Sequence, residues 1–274
     1  MTATFDWTSV APAWDRHRDH AGRHTEPISQ ALLAAAALSE GDRVLELASG
    51  TGDLAVQLAT LVGPTGTVLA TDNAVGMVEL TATTLAGAAQ AGTAVLDAGD
   101  TKLADASFDA VVCAMGLMFV PDPGTALRDW HRILAPGGRV AAAVWAAPCN
   151  NLWVAAVGMS AGLNGVVAGG PPTEPGGLFS LSDAAQLGGL AREAGFGDVT
   201  VDRVAVEFSF PSVEEHFTVV SSLAGPLAAA LDEATPEQLS KVRETCAGIV
   251  APHQGDNGSV TLPGEALILS GRVN

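Results

Sequence analysis

The chain has 274 residues, with 13 Lys+Arg against 30 Asp+Glu and a formal net charge of −17. A surface this acidic repels phosphate backbones and anionic headgroups, so nucleic acid and polybasic membrane attachment are excluded as expected partners. Hydrophobic residues at 48% and charged ones at 16% also exclude a disordered chain. The length fits one large domain or two small ones. Cys113, Cys149 and Cys246 are too few and too far apart for a disulfide framework or a paired metal site. No apolar run of signal-peptide length surrounds Asp6, so a cytoplasmic protein is expected.

In chain order, Trp14–Ala21 and Pro27–Leu38 read as two helices, the second opened by Thr25 as cap with Pro27 in its first turn. Arg43–Leu47 is a short strand, followed by a glycine turn and a helical pattern over Asp53–Leu61. Gly66–Thr71 is the next strand, Met77–Gln90 a helix and Thr93–Leu96 a third strand. The apolar run Phe108–Cys113 suits a strand covered on both faces. Thr125–Leu134 reads as a helix stopped by Ala135-Pro136-Gly137-Gly138, and Arg139–Trp145 as the fifth strand. No charge occurs between Arg139 and Glu174, yet Pro148, Asn150, Asn151, Asn164 and the run Gly169–Pro172 interrupt that stretch. It therefore predicts a buried strand and a helix lining an apolar cavity, not a membrane span. Ser182–Ala194 is then a helix and Val199–Phe210 an alternating strand. A capping box, Ser212 with Glu215, opens another helix, Pro236–Ile249 forms a further one, and Glu265–Ser270 closes as a strand. Such alternation with short loops predicts a doubly wound α/β sheet with right-handed crossovers.

The segment Val44–Ala55 (VLELASGTGDLA) carries the chemistry. A strand ends in a carboxylate, small residues turn the chain, and a helix starts with its amides free. Gly50–Ala55 also fits the dinucleotide pattern G-x-G-x-x-A, which alone is a weak signal. Three carboxylates discriminate. Asp72 ends the second strand 22 residues after Gly50, where it could take both ribose hydroxyls of an adenosine cofactor. Glu46 at the tip of the first strand is awkward beside a pyrophosphate but suits a cationic sulfonium ligand bearing an amino group. Asp97-Ala98 follows the third strand, placed to meet an adenine amino group. A nicotinamide oxidoreductase is accordingly the weaker reading.

Glu46–Ala55, Asp72, Asp97-Ala98, Ser107-Phe108-Asp109, Gly116–Pro123 (GLMFVPDP) and Leu134–Gly138 (LAPGG) together resemble class I S-adenosylmethionine-dependent methyltransferases. The resemblance is closest to the ubiquinone/menaquinone-biosynthesis-like branch, specific from about Trp14 to Trp145 and looser beyond. It implies a Rossmann-like seven-stranded sheet whose last strand is antiparallel, with N-terminal lid helices over residues 1–40. Residues 41–274 would form the methyltransferase domain, with helical cap insertions at about 148–180 and 211–258. It also implies a cofactor site of Trp14, Glu46, Ala48, Ser49, Gly50, Gly52, Asp72, Asn73, Met77, Asp97, Ala98, Ala114 and Met115. The cofactor would be S-adenosyl-L-methionine, leaving as S-adenosyl-L-homocysteine. Two departures stand out. Ala48 replaces the first glycine of the family pattern, a change expected to cost little if its φ stays negative. Met118-Phe119 stands where relatives often carry a His pair, which implies a more apolar substrate mouth.

Methyl transfer needs alignment and, for some acceptors, a base. With no Tyr in the chain, the base must be His or a carboxylate. His20 on the lid and His216 in the cap are the candidates; His131 is read as structural and His253 as a loop residue. His20 and His24 have the spacing of a helical metal pair, but Gly22 is expected to break the helix between them, so no metal is expected. Trp145 and Trp153 could wall an aromatic pocket. The expected activity is methylation of an oxygen or carbon nucleophile on an apolar small molecule of natural-product or quinone-like type. A non-methylating cyclase on the same scaffold is the alternative. No membrane insertion is expected, and a homo-oligomer is possible.

Overall fold

Short apolar strands and amphipathic helices alternate to close one seven-stranded sheet. In this computed structural model, which describes residues 5–168 and 170–274, a 3-10 turn at Trp7–Val10 leads into α1 (Ala11–Arg16) and α2 (Arg18–Ala36). The first four residues of the expected lid and Gly169 lie outside the described residues. Next come β1 (Arg43–Leu47), α3 (Asp53–Val62), β2 (Thr67–Asp72), α4 (Val75–Thr84), β3 (Ala91–Val95) and β4 (Phe108–Ala114). The core continues with α5 (Pro123–Ile133), β5 (Leu134–Trp145), α6 (Leu152–Leu163), α7 (Ala184–Glu193) and β6 (Gly197–Phe210). Helices α8 (Val213–Leu223), α9 (Pro226–Asp232) and α10 (Pro236–Val250) precede β7 (Val260–Arg272).

The strand order is β3-β2-β1-β4-β5-β7-β6, with β7 antiparallel to both neighbours and the other pairings parallel. The doubly wound sheet expected from the alternation is thus present, its last strand inserted antiparallel. Central strands carry unbroken apolar runs because helices cover both faces; Val111, Val112, Ala141, Ala142 and Ala143 are fully buried. No helix among the described residues is long and apolar enough to cross a membrane.

Several element boundaries differ from the sequence reading. α2 is one continuous helix through Gly22 and Pro27, not two helices. Thr25 is no cap; its hydroxyl donates to the Ala21 carbonyl within the helix. Burial of Ile28, Leu32 and Ala36 against the sheet outweighs the local cost of the proline. α4 stops at Thr84 instead of Gln90, after the β-branched Thr81, Thr83 and Thr84. Ser212 accepts from the Glu215 N–H as the cap of α8, while both capping-box bonds form at Thr235 and Gln238 on α10. The uncharged stretch contains β5 followed by α6, whose Val154, Ala156 and Val157 are buried.

Candidate functional site

The β1–α3 turn is built from backbone. Ser49 N–H donates to Thr71 O (2.9 Å) and Gly52 N–H to Ser49 O (2.9 Å). Buried Thr81 clamps the turn from α4: its hydroxyl donates to Gly50 O and accepts from Ser49 Oγ, both at 3.0 Å. Gly50 and Gly52 have φ of 56° and 85°, a region that favours glycine. They serve different ends. A Cβ at Gly50 would meet nothing within 4 Å, whereas one at Gly52 would lie 2.9 Å from Thr81 Cα. Gly50 therefore keeps an open approach to the turn, and Gly52 lets α4 pack against it.

Ala48 has φ 57°, so the condition under which the alanine would cost little is not met. The left-handed region costs a residue with a Cβ roughly 1–2 kcal/mol. A facing glycine makes room for its methyl: a Cβ on Gly116 would fall 2.4 Å from the Ala48 Cβ.

Glu46 closes the floor. Its side chain is buried, its Oε2 has no hydrogen-bond partner, and burial followed by the charges of Asp72 and Asp53 pushes its carboxyl well above the usual carboxylate range. An isolated buried carboxylate is costly until a donor or cation meets it. Asp72 accepts from Gly50 N–H (3.1 Å) and Ala74 N–H (3.0 Å), so it ties the turn to β2. Burial pushes its carboxyl upward against the pull of those backbone donors.

A crevice of about 180 Å³ opens between α2 and this turn; Trp14, Glu46, Ala48, Ser49, Gly50 and Ala114 line it. Small-molecule sites usually span about 300–1,000 Å³; here α2 lies close across the opening. Arg18 holds it there. Its Nη2 donates to Thr51 O (2.7 Å) and Thr84 Oγ1 (2.6 Å), and its Nε pairs with the Asp53 carboxylate at 2.8 Å. Nothing in the local sequence marks this role for Arg18, whose partners lie 33 to 66 positions away.

The remaining expected cofactor residues lie outside the crevice lining. Asn73 is exposed at the β2–α4 turn, and Met77 is buried in a small cluster with Val10, Ala11 and Ala74. Exposed Asp97 caps its own turn by accepting from Gly99 N–H (2.8 Å). Ala98 O accepts from Trp130 Nε1 (2.8 Å), and Met115, at φ 56°, donates its N–H to Ala143 O (2.9 Å).

The two histidines part ways. His216 is fully enclosed: Nε2 donates to Trp153 O at 2.7 Å, and Nδ1 faces the Cys246 thiol at 3.9 Å. With both ring nitrogens engaged inside the cap, His216 is placed as a structural group and not as a base, a correction to the sequence expectation. His20 lies on α2 with its ring 4.9 Å from Phe210 and 4.6 Å from His24, and its buried Nε2 lacks a partner. Burial, then the charges of His24, His17 and Arg23, lower its pKa to about 4. The helix does run unbroken between His20 and His24, against expectation; among the described residues no three His, Cys, Asp or Glu side chains gather as a metal site would need.

Known proteins resemble this arrangement. The family of methyltransferase domains matches residues 44–138, which hold the turn, Asp72, Asp97 and the β4 tip. The ubiquinone/menaquinone biosynthesis C-methyltransferase UbiE of Pseudomonas entomophila (strain L48) is 38% identical over 115 residues, 41% of this chain and 45% of that protein. The chain thus spans about half the length of the curated relatives it matches. The YcgJ protein of Bacillus subtilis superposes with a TM-score of 0.62 at 15% identity, covering 91% of this chain and 98% of that one. The [4+2]-cyclase SpnF does so with a TM-score of 0.53 at 21% identity, covering 89% and 79%. Both are likenesses of fold. Residues 44–138 match the methyltransferase-domain family, and over this segment the chain is similar to class I S-adenosylmethionine-dependent methyltransferases of the ubiquinone-biosynthesis-like kind.

Proposed function

We propose that this chain transfers a methyl group from S-adenosylmethionine to an oxygen or carbon nucleophile of an apolar small molecule. The observation that carries this reading is the buried Glu46 carboxylate, unpartnered at Oε2 on the floor of a crevice whose other wall is glycine backbone. A cationic amino acid end answers that carboxylate, whereas a pyrophosphate would add to its charge. Glu46 would hold the ligand's ammonium, the Ala48–Gly50 backbone its carboxylate end and Asp72 its ribose. Asp97, Ala98, Asn73, Met77, Gly52, Ala114 and Met115 would frame the adenosine side, with Trp14 closing over it. When bound, the cofactor supplies a methyl group on positively charged sulfur. The acceptor's electron pair forms the new bond, the carbon–sulfur pair stays on sulfur, and S-adenosylhomocysteine leaves.

The protein's own task is alignment and exclusion of water, which α2 performs by lying over the crevice. His20 is the remaining candidate for receiving an acceptor proton. Its lowered pKa keeps it neutral near pH 7 but makes it a weak base. The reading therefore favours acceptors that ionise readily or carbon nucleophiles that need little help. The name of the relative from Pseudomonas entomophila, a C-methyltransferase of quinone biosynthesis, supports carbon as one such atom. Natural-product or quinone-like acceptors and a cytoplasmic setting complete the proposal.

The test is mass spectrometry of acceptors incubated with the protein and S-adenosylmethionine. A product heavier by one methylene, with stoichiometric S-adenosylhomocysteine, supports methyl transfer. An acceptor rearranged without gain of mass would place the chain with cyclases instead.

A further inference from the structure

Between β3 and β4 the chain runs through residues 96–107 without helix or strand, and α5 holds it in place. The register sets where this connection begins. Asp72 pairs with Val95, and Leu96 N–H donates to Asp72 O at 2.9 Å, so Asp97 follows Val95 at a spacing of two, beside the end of β2. Asp97–Asp100 then forms a β-turn, closed by Asp100 N–H donating to Asp97 O at 3.2 Å.

The central peptide of that turn joins Ala98 to Gly99, and both of its polar groups are engaged. Its oxygen, Ala98 O, accepts from Trp130 Nε1 on α5 at 2.8 Å. Its N–H, that of Gly99, donates to Asp97 Oδ1 at 2.8 Å. The far end of the turn is pinned by the neighbouring residue of α5: Asp129 Oδ2 accepts from Thr101 N–H (2.9 Å) and Thr101 Oγ1 (2.6 Å). Among the described residues, Asp97 Oδ2 and Ala98 N–H remain without partners, an acceptor beside a donor. Adenine offers the matching pair on its edge, an amino donor beside a ring-nitrogen acceptor.

The central peptide is also the part of a β-turn that can flip. Types I and II differ by its rotation, and glycine at the third position admits both. Gly99 keeps a negative φ, so the type II form, which needs a positive one, is not the one adopted. A flip would carry Gly99 N–H away from Asp97 Oδ1 and leave the carboxylate free to swing. Trp130 is fully buried, and its N–H holds the peptide oxygen in the unflipped sense. Apolar packing has no need of that N–H, which a phenylalanine would lack.

We infer that α5 clamps this turn, with Trp130 as the positioning residue that locks the Ala98–Gly99 peptide and so aims Asp97 and Ala98 at an adenine base. The inference rests on the methyltransferase reading, since the base in question belongs to that cofactor. Its selectivity is set from the far side of the loop, by a side chain that never touches the ligand.

The test is calorimetric titration of S-adenosylhomocysteine and S-inosylhomocysteine into the wild type, Trp130→Phe and Thr101→Val. The inosine base carries an oxygen in place of the amino group and a proton on the adjacent ring nitrogen, so it reverses both hydrogen bonds. Wild-type protein should bind S-adenosylhomocysteine about 10- to 100-fold tighter than the inosine compound, the scale of hydrogen bonds to a charged group. Trp130→Phe, confirmed as folded by cooperative thermal unfolding, should narrow that ratio to about threefold or less, chiefly by weakening S-adenosylhomocysteine. Thr101→Val should narrow it in the same sense and by less. A merely structural Trp130 would shift both affinities alike and leave the ratio unchanged. A wild-type ratio in Trp130→Phe overturns the inference, as does one in Thr101→Val should the first variant not fold. Equal binding of both compounds by the wild type overturns it too while leaving the cofactor reading in place. No binding of S-adenosylhomocysteine to the wild type would overturn the cofactor reading itself.

Discussion

Ala48 and Glu46 each depart from what folding alone would select. At φ 57° the Ala48 backbone sits where glycine is at ease, and its methyl fits only because Gly116 has none. Ala48→Gly should therefore stabilise the protein by about 0.5–1 kcal/mol, the relief of strain less the entropy that glycine adds to the unfolded chain. Urea unfolding would measure it; a loss of stability would mean the methyl packs better than its backbone is strained. Gly116→Ala should be strongly destabilising alone and only partly rescued by Ala48→Gly, because its Cβ would also lie 2.9 Å from the buried Cys113 Sγ. For Glu46 the sign follows from its raised carboxyl. The folded state holds the proton more tightly than the unfolded one, so this group's contribution is present below about pH 4.5 and lost as pH rises through the folded value. Glu46→Gln should raise Tm at pH 7 and change it little at pH 4, as scanning calorimetry would show. The glycines give a third contrast. Gly52→Ala should lower stability through contact with Thr81, while Gly50→Ala should cost only the strain of its positive φ, about 1–2 kcal/mol, and narrow the ligand's approach.

Helix α2 joins the fold to the site, and it is the element least legible in the sequence. Gly22 and Pro27 are breakers by local rules, and the residues that override them, Ile28, Leu32 and Ala36, act only through the sheet beneath. Arg18 was equally hidden, since its partners Thr51, Asp53 and Thr84 belong to other elements. The Arg18–Asp53 pair is partly exposed, and such pairs add about 0–1 kcal/mol to stability. Arg18→Met also loses the donors to Thr51 O and Thr84 Oγ1, so it should lower stability by about 1–2 kcal/mol and speed cofactor dissociation about three- to tenfold, the loss of one or two hydrogen bonds across the lid. Stopped-flow release of S-adenosylhomocysteine would measure this, and an unchanged rate would mean α2 is no lid. The lowered pKa of His20 adds a pH dependence to the same helix. Its neutral form is favoured in the folded state, so its contribution is complete above about pH 6.5 and falls as pH drops toward 4. His20→Phe should flatten that part of the Tm profile, so that the variant gains Tm relative to wild type as pH falls from about 6.5 toward 4.

Across the whole molecule, what could be read from the sequence follows the range of the forces involved. β1, β4 and the end of β5 are short runs buried on both faces, so their apolar residues marked them almost to the residue. β7 was read as Glu265–Ser270 but runs from Val260 to Arg272. Pro263 and Gly264 disguise its start, where it has outrun β5 and pairs with β6 alone. The Glu46–Gly50 turn was legible because one segment holds strand end, carboxylate and glycines. Of the aromatic cluster only Trp145 and Trp153 were legible, because Phe208, Phe210 and His20 join it only through register and a covering helix. His216 was misplaced for the same reason, its enclosure being set by α6 and α10. The N-terminal helices, β1 with its turn into α3, and the tip of β4 converge on one crevice whose floor is a carboxylate unpartnered at Oε2. The most direct measurement is calorimetric titration of S-adenosylmethionine into wild-type protein and Glu46→Gln side by side at neutral pH. One site per chain is predicted, with the variant about 10- to 100-fold weaker, the scale of a hydrogen bond to a charged group, although it is the more stable protein. Equal affinity in the two proteins, or binding of a nicotinamide dinucleotide in place of S-adenosylmethionine, would contradict the account.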